Sequence, residues 1–84
     1  MKIIKRSGME DTFDLQKIEA AIRKANDSVI DYEKLSEEKI ADILKNVEKA
    51  CENMKRSPSV EEIQDMVENQ IMNQRAFNVA RNYI

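Results

Sequence analysis

Gly8 is the only glycine among 84 residues, and it stands between two short strings of extended character, Ile3-Ile4-Lys5-Arg6 and Met9-Glu10-Asp11-Thr12-Phe13. A residue without a Cβ takes positive φ at no steric cost, so the backbone can reverse tightly here more cheaply than anywhere else in the chain. Ser7-Gly8 is therefore predicted as a two-residue turn joining two strands into a hairpin, which sets Lys5 opposite Glu10. The hairpin runs straight into a helix. Asp14 is a good N-cap, and Leu15, Ile18, Ala21, Ile22 and Ala25 repeat at helical spacing to about residue 26.

At that helix start the amides of Leu15, Gln16 and Lys17 are expected to point outward, where unpaired N–H groups and the helix dipole favour an anion. Lys5, Arg6 and Lys17 are expected to converge on the same neighbourhood and make a seat for a polyphosphate. A plainer reading stands beside this one, with Lys5 in a solvated cross-strand ion pair with Glu10 and Asp14 serving only as a cap. Asp11 and Asp14 would repel a phosphate. A carboxylate does, however, accept a hydrogen bond from the exocyclic amine of adenine, which guanine does not offer at that edge.

The rest of the chain reads as helices. Val29 to Leu35 is a connector whose Val29, Ile30, Tyr32 and Leu35 are expected to tuck inward. Ser36 caps a second helix running to about Met54, with Ile40, Ile43, Leu44, Val47, Cys51 and Met54 on one side. Pro58 ends that pattern, and Ser59-Val60-Glu61-Glu62 forms a capping box that opens a third helix, striped by Ile63, Met66, Val67, Gln70 and Ile71 to about Met72. Asn73 is expected to mark a bend, and a fourth helix from roughly Gln74 to the end carries Ala76, Phe77, Ala80, Tyr83 and Ile84. Cys51, Met54, Met66 and Met72 are read as core or near-core filling. Stripes of this width must be buried on one another and beneath the hairpin. The expected fold is a single α+β domain over residues 1–84, a small four-helix bundle capped by an N-terminal β-hairpin. Because the last helix has no Gly or Pro exit, the polypeptide is expected to continue beyond Ile84.

Composition removes several functions. A net charge of −2 opposes a surface built for nucleic acid, although the first eight residues are locally basic. No apolar run approaches the about 18–20 residues that span a bilayer, and there is no signal-peptide core, so a soluble, cytoplasmic protein without a membrane partner is expected. With no histidine and one cysteine, a metal centre or disulfide framework within the chain is not expected. Neither glycine-rich phosphate loop occurs, and no nucleophile stands with a recognisable base, so the chain reads as one that binds rather than catalyses.

Ile-Lys-Arg-Ser-Gly-Met-Glu-Asp-Thr-Phe-Asp-Leu-Gln-Lys-Ile, Ser-Val-Glu-Glu-Ile-Gln-Asp-Met-Val-Glu and the closing Ala-Arg-Asn-Tyr-Ile together resemble the ATP-cone. That is the regulatory nucleotide-binding domain of ribonucleotide reductases and of a related transcriptional repressor. The second run is most similar to the anaerobic (class III), glycyl-radical ribonucleoside-triphosphate reductases. The resemblance implies a four-helix bundle covered by a small three-stranded mixed sheet, with a short third strand near Arg56 to Ser59. It also implies an allosteric site for ATP or dATP, with Mg2+, in which ATP keeps the reductase active and dATP shuts it down. Lys5, Arg6 and Lys17 match family positions that contact phosphate or sugar, Asp11 and Asp14 match positions that read the adenine edge, and Ile3 matches one that lines the base. Val60 and Gln64 fall where some members place a threonine and a histidine near the phosphates, so that side of the pocket differs here. The partners implied are the catalytic domain of a parent reductase and, through the cone, a second copy. The alternatives are the cone of the repressor, or a helical docking module whose basic hairpin meets an acidic protein surface.

Overall fold

The computed structural model describes residues 1–83. Two short strands, β1 (Lys2–Ile4) and β2 (Glu10–Thr12), precede α1 (Leu15–Asp27), a 3-10 turn (Asp31–Glu33), α2 (Glu37–Asn53), α3 (Val60–Asn73) and α4 (Phe77–Tyr83). This is the expected α+β arrangement of four helices under an N-terminal hairpin.

β1 and β2 are antiparallel, with Ile3 facing Asp11 and Ile4 facing Glu10. The ladder continues to Lys5, whose N–H donates to the Met9 carbonyl at 2.8 Å while its own carbonyl accepts from Gly8 at 2.9 Å. The loop is therefore Arg6-Ser7-Gly8, one residue longer than expected, and Lys5 faces Met9 and not Glu10. Gly8 has φ +85°, the left-handed geometry that a three-residue hairpin loop requires at its last position. The cause lies outside the hairpin. A two-residue turn would pair Ile3 with Thr12 and send Ile3 and Phe13 to opposite faces, whereas both pack against the helical core. The expected third strand is reduced to one parallel bridge, Ile4 to Ser59, with the Ile4 N–H donating to the Pro58 carbonyl at 2.9 Å; the sheet itself has two strands.

The caps of α1, α2 and α3 are those predicted. The Asp14 carboxylate accepts from the Gln16 N–H, the Ser36 hydroxyl from the Lys39 N–H, and Ser59 and Glu62 close the capping box. Arg56 adds a fork to that box, donating to both Glu62 carboxylate oxygens at 2.8 and 2.6 Å. Each helix packs chiefly on two others in the cycle α1, α2, α3, α4 and back to α1. Ile22, Ile40, Ile43, Val47, Val67, Ile71 and Val79 are fully buried where the four stripes meet, with Cys51 beside them. The Cys51 thiol is raised above its ordinary pKa by burial, then by Glu62, and lies 3.8 Å from the Met66 sulfur.

Several expected burials are corrected. Ile30 and Tyr32 are exposed, whereas Val29 packs against the core and Leu35 is buried in it, its backbone held by buried Asn26. The bend after α3 is not at Asn73. The N–H groups of Arg75 and Ala76 donate to the carbonyls of Met72 and Ile71, and Arg75 adopts φ +62°, a Schellman ending with an arginine where glycine is usual. α4 consequently begins at Phe77, later than Gln74; Ala76 and Ala80 are buried as expected and Val79 joins them, but Phe77 is exposed. Met72 and Ala21 are exposed as well. Ile84, expected on the α4 stripe, lies outside the described residues. No described helix is long and apolar enough to cross a membrane.

Candidate functional site

An open-mouthed cleft of about 170 Å³ lies between the hairpin, the first turns of α1 and α3, and the end of α4. β1 gives it Ile3; β2 and the residues after it give Asp11, Thr12, Phe13 and Asp14. α1 contributes Lys17, Ile18 and Ala21, α3 contributes Val60, Ile63 and Gln64, and α4 contributes Tyr83. Ala21 stands one turn beyond Lys17 and Ile18 one turn beyond Asp14, so this side of the helix carries a cation near its start and an apolar floor behind it. A hollow with apolar walls and a few convergent polar groups is the usual form of a small-molecule site.

The eight residues singled out in the sequence fall into two adjoining hollows. Ile3, Asp11, Asp14, Lys17, Val60 and Gln64 line the cleft. Lys5 and Arg6 line a second groove with Ile4, Ser59, Val60 and Glu61, so Val60 forms the ridge between the two. Arg6 also borders a further hollow with Gln64 and Tyr83, two residues that it shares with the cleft. Lys5, Arg6 and Lys17 thus surround the start of α3 from both sides and do not meet in one pocket.

Each cation is differently engaged. The Lys5 ammonium is 3.5 Å from Asp11 Oδ2, with the side chains 54% and 40% exposed, and Arg6 Nε is 3.2 Å from Glu61, with the side chains 73% and 66% exposed. Ion pairs this wet contribute little and exchange readily for another anion. Among the described residues Lys17 joins no ion pair. The Asp11 carboxyl is held below its ordinary pKa first by the Thr12 N–H, which donates to it at 2.8 Å, then by Lys5, with Lys17 adding to the field. It is therefore an ionised acceptor in the cleft wall.

The helix start differs from expectation. The Gln16 N–H is taken by the Asp14 carboxylate at 3.0 Å and the Lys17 N–H by the Asp14 carbonyl at 3.2 Å. Positive charge at this end of the cleft therefore comes mainly from the Lys17 side chain and not from free backbone donors.

Phe13, Thr12, Ile18, Ala21, Ile63 and Tyr83 are cleft residues that the sequence reading did not assign to the site. Ile18, Ala21, Ile63 and Tyr83 had the spacing of core residues, and helical periodicity does not distinguish a stripe facing the core from one that ends in a hollow. Ala21 carried a usable signal, being a small residue one turn from Lys17 where a larger one would close the floor. Tyr83 is half-buried, and burial pushes its phenol above its ordinary pKa.

The family model described as the ATP cone domain matches residues 1–84, the entire chain. Comparison with curated proteins finds no match. Domains of that family are in general ATP- or dATP-binding allosteric regulatory modules. With four helices, the capping hairpin and the match over its full length, the chain belongs to the ATP-cone family.

Proposed function

We propose that this chain is the adenine-nucleotide sensor of an anaerobic, glycyl-radical ribonucleoside-triphosphate reductase, a cytoplasmic regulatory domain that binds ATP or dATP and performs no chemistry itself. The observation that carries the reading is the cleft wall, where the ionised Asp11 lies within the field of Lys17 above an apolar floor of Ile3, Ile18 and Ala21. The purine lies on Ile3 and the floor, and Asp11 accepts from its exocyclic amine, with Asp14 capping α1 beside it. The triphosphate, with Mg2+, runs from Lys17 over the Val60 and Gln64 ridge toward Lys5 and Arg6, displacing Asp11 and Glu61 from their wet ion pairs.

Choice between ATP and dATP rests on the 2′-hydroxyl, and control of a catalytic domain, or of self-association through the cone, requires that the two ligands favour different states by at least about 1 kcal/mol. Calorimetric titration with ATP, dATP and GTP tests the reading. Saturable heat with both adenine nucleotides and much weaker binding of GTP is expected; no heat with either adenine nucleotide contradicts it. The parent is tested separately by the coding sequence after Ile84, which should specify a long catalytic domain with a glycyl-radical motif.

A further inference from the structure

At the other end of α1 and α4, a groove that shares no residue with the cleft is lined by Tyr32, Lys34, Leu35, Lys39, Arg75 and Phe77. We infer that this groove docks an acidic segment of a partner protein that carries an aromatic or aliphatic side chain.

The apolar part of the argument is the exposure. The chain has two tyrosines and two phenylalanines, and one of each is left in water here, Tyr32 87% and Phe77 55% exposed. Aromatic side chains are the residues that most often anchor a partner. The charge is equally one-sided. Lys34, Lys39 and Arg75 face a single lining carboxylate, Glu33, which already accepts a hydrogen bond from Asn78; Lys34 is 3.5 Å from the fully exposed Asp31. In a chain of net charge −2 this is a positive groove, complementary to an acidic segment.

Arg75 supplies the third observation. It takes φ +62° at the position where glycine would end α3 without strain, so the fold gives no reason for an arginine there, while its side chain borders the groove. The exposed rings of Tyr32 and Phe77 suit inserted side chains better than a run of phosphates. A protein segment is the occupant that satisfies both halves of the groove. The inference does not depend on nucleotide binding in the cleft.

The test is an amide-shift titration of the isotope-labelled 84-residue chain with a synthetic decapeptide of Asp, Glu, Phe and Leu. The same peptide with lysine for every acid, and a ten-residue oligothymidylate, serve as competitors. The expected result is saturable movement of the Tyr32, Lys39, Arg75 and Phe77 amides with the acidic peptide alone, weakened about tenfold by Lys39→Glu. Arg75→Gly should weaken binding at least about threefold while raising the Tm, so that loss of binding is not loss of fold. The inference is overturned by any of four results: no saturable movement at about millimolar peptide, equal response to the oligonucleotide or the basic peptide, undiminished binding by Arg75→Gly, or broadening of these amides with protein concentration alone, which would give the groove to a second copy.

Discussion

The Lys5 ammonium lies 3.5 Å from the Asp11 carboxylate, one residue away from the Glu10 that a two-residue turn would have set opposite it. That displacement ties a phosphate-contacting candidate to the base-reading candidate, so nucleotide binding and the hairpin's own ion pair compete for the same groups. Replacing Lys5 by alanine removes a charge-assisted contact and should weaken ATP binding by about tenfold. Asp11→Ala should weaken ATP and dATP but leave the poor binding of GTP unchanged. Calorimetry on both variants checks this, and an Asp11→Ala chain that still prefers ATP to GTP removes the carboxylate from base recognition.

Asn26 is the buried polar hinge of the connector. Its side-chain oxygen accepts from the Leu35 N–H at 2.7 Å and its amide donates to the Leu35 carbonyl at 3.2 Å. Asn26→Ala leaves both backbone groups without a partner in the core and should cost about 3 kcal/mol, read from urea unfolding, with ATP affinity of the remaining folded fraction preserved.

Arg75→Gly should stabilise the domain by about 0.5–1 kcal/mol, the left-handed strain relieved exceeding the greater freedom given to the unfolded chain. For a domain of this size that is a rise in Tm of about 2–8 °C. Arg75→Val at the same position should lower it.

The Glu62 carboxyl is held down at about 2, first by Arg56 and then by the Ser59 N–H, against an ordinary value of 4.5. A depressed acid contributes stability that is complete above its unfolded pKa and is lost as pH falls from there through the folded value. Acid unfolding should therefore steepen between about pH 4.5 and 2, and Glu62→Gln should flatten that window while changing little of its shape above pH 5. A variant whose acid limb has the same slope as the parent would show that the Arg56 and Ser59 contacts do not hold the charge.

What the sequence disclosed was mostly local. The caps at Asp14, Ser36 and Ser59 and the stripe of α2 depend on neighbours within a turn or two, and they are found where the residues predict them. What it withheld was set at a distance. The hairpin loop gained a residue because Ile3 and Phe13 must share the core face, and α4 starts later than expected because α3 ends at a strained Arg75. Leu35 is fixed in the core by Asn26, a contact nine residues apart, while Tyr32 of the same connector is exposed. The cleft was legible in its charged residues and its family positions. Its apolar half was not, since Ile18, Ile63 and Tyr83 carry the same periodicity as the residues behind them.

The decisive measurement is the map of backbone amide shifts on titrating the isotope-labelled chain with ATP. Concerted, saturable shifts at Ile3, Asp11, Lys17, Ala21, Val60 and Gln64, abolished by Lys17→Ala in a chain that remains folded, are predicted. Saturable shifts that fall elsewhere, or that persist unchanged in Lys17→Ala, would contradict a nucleotide seat between the hairpin and the first turn of α1.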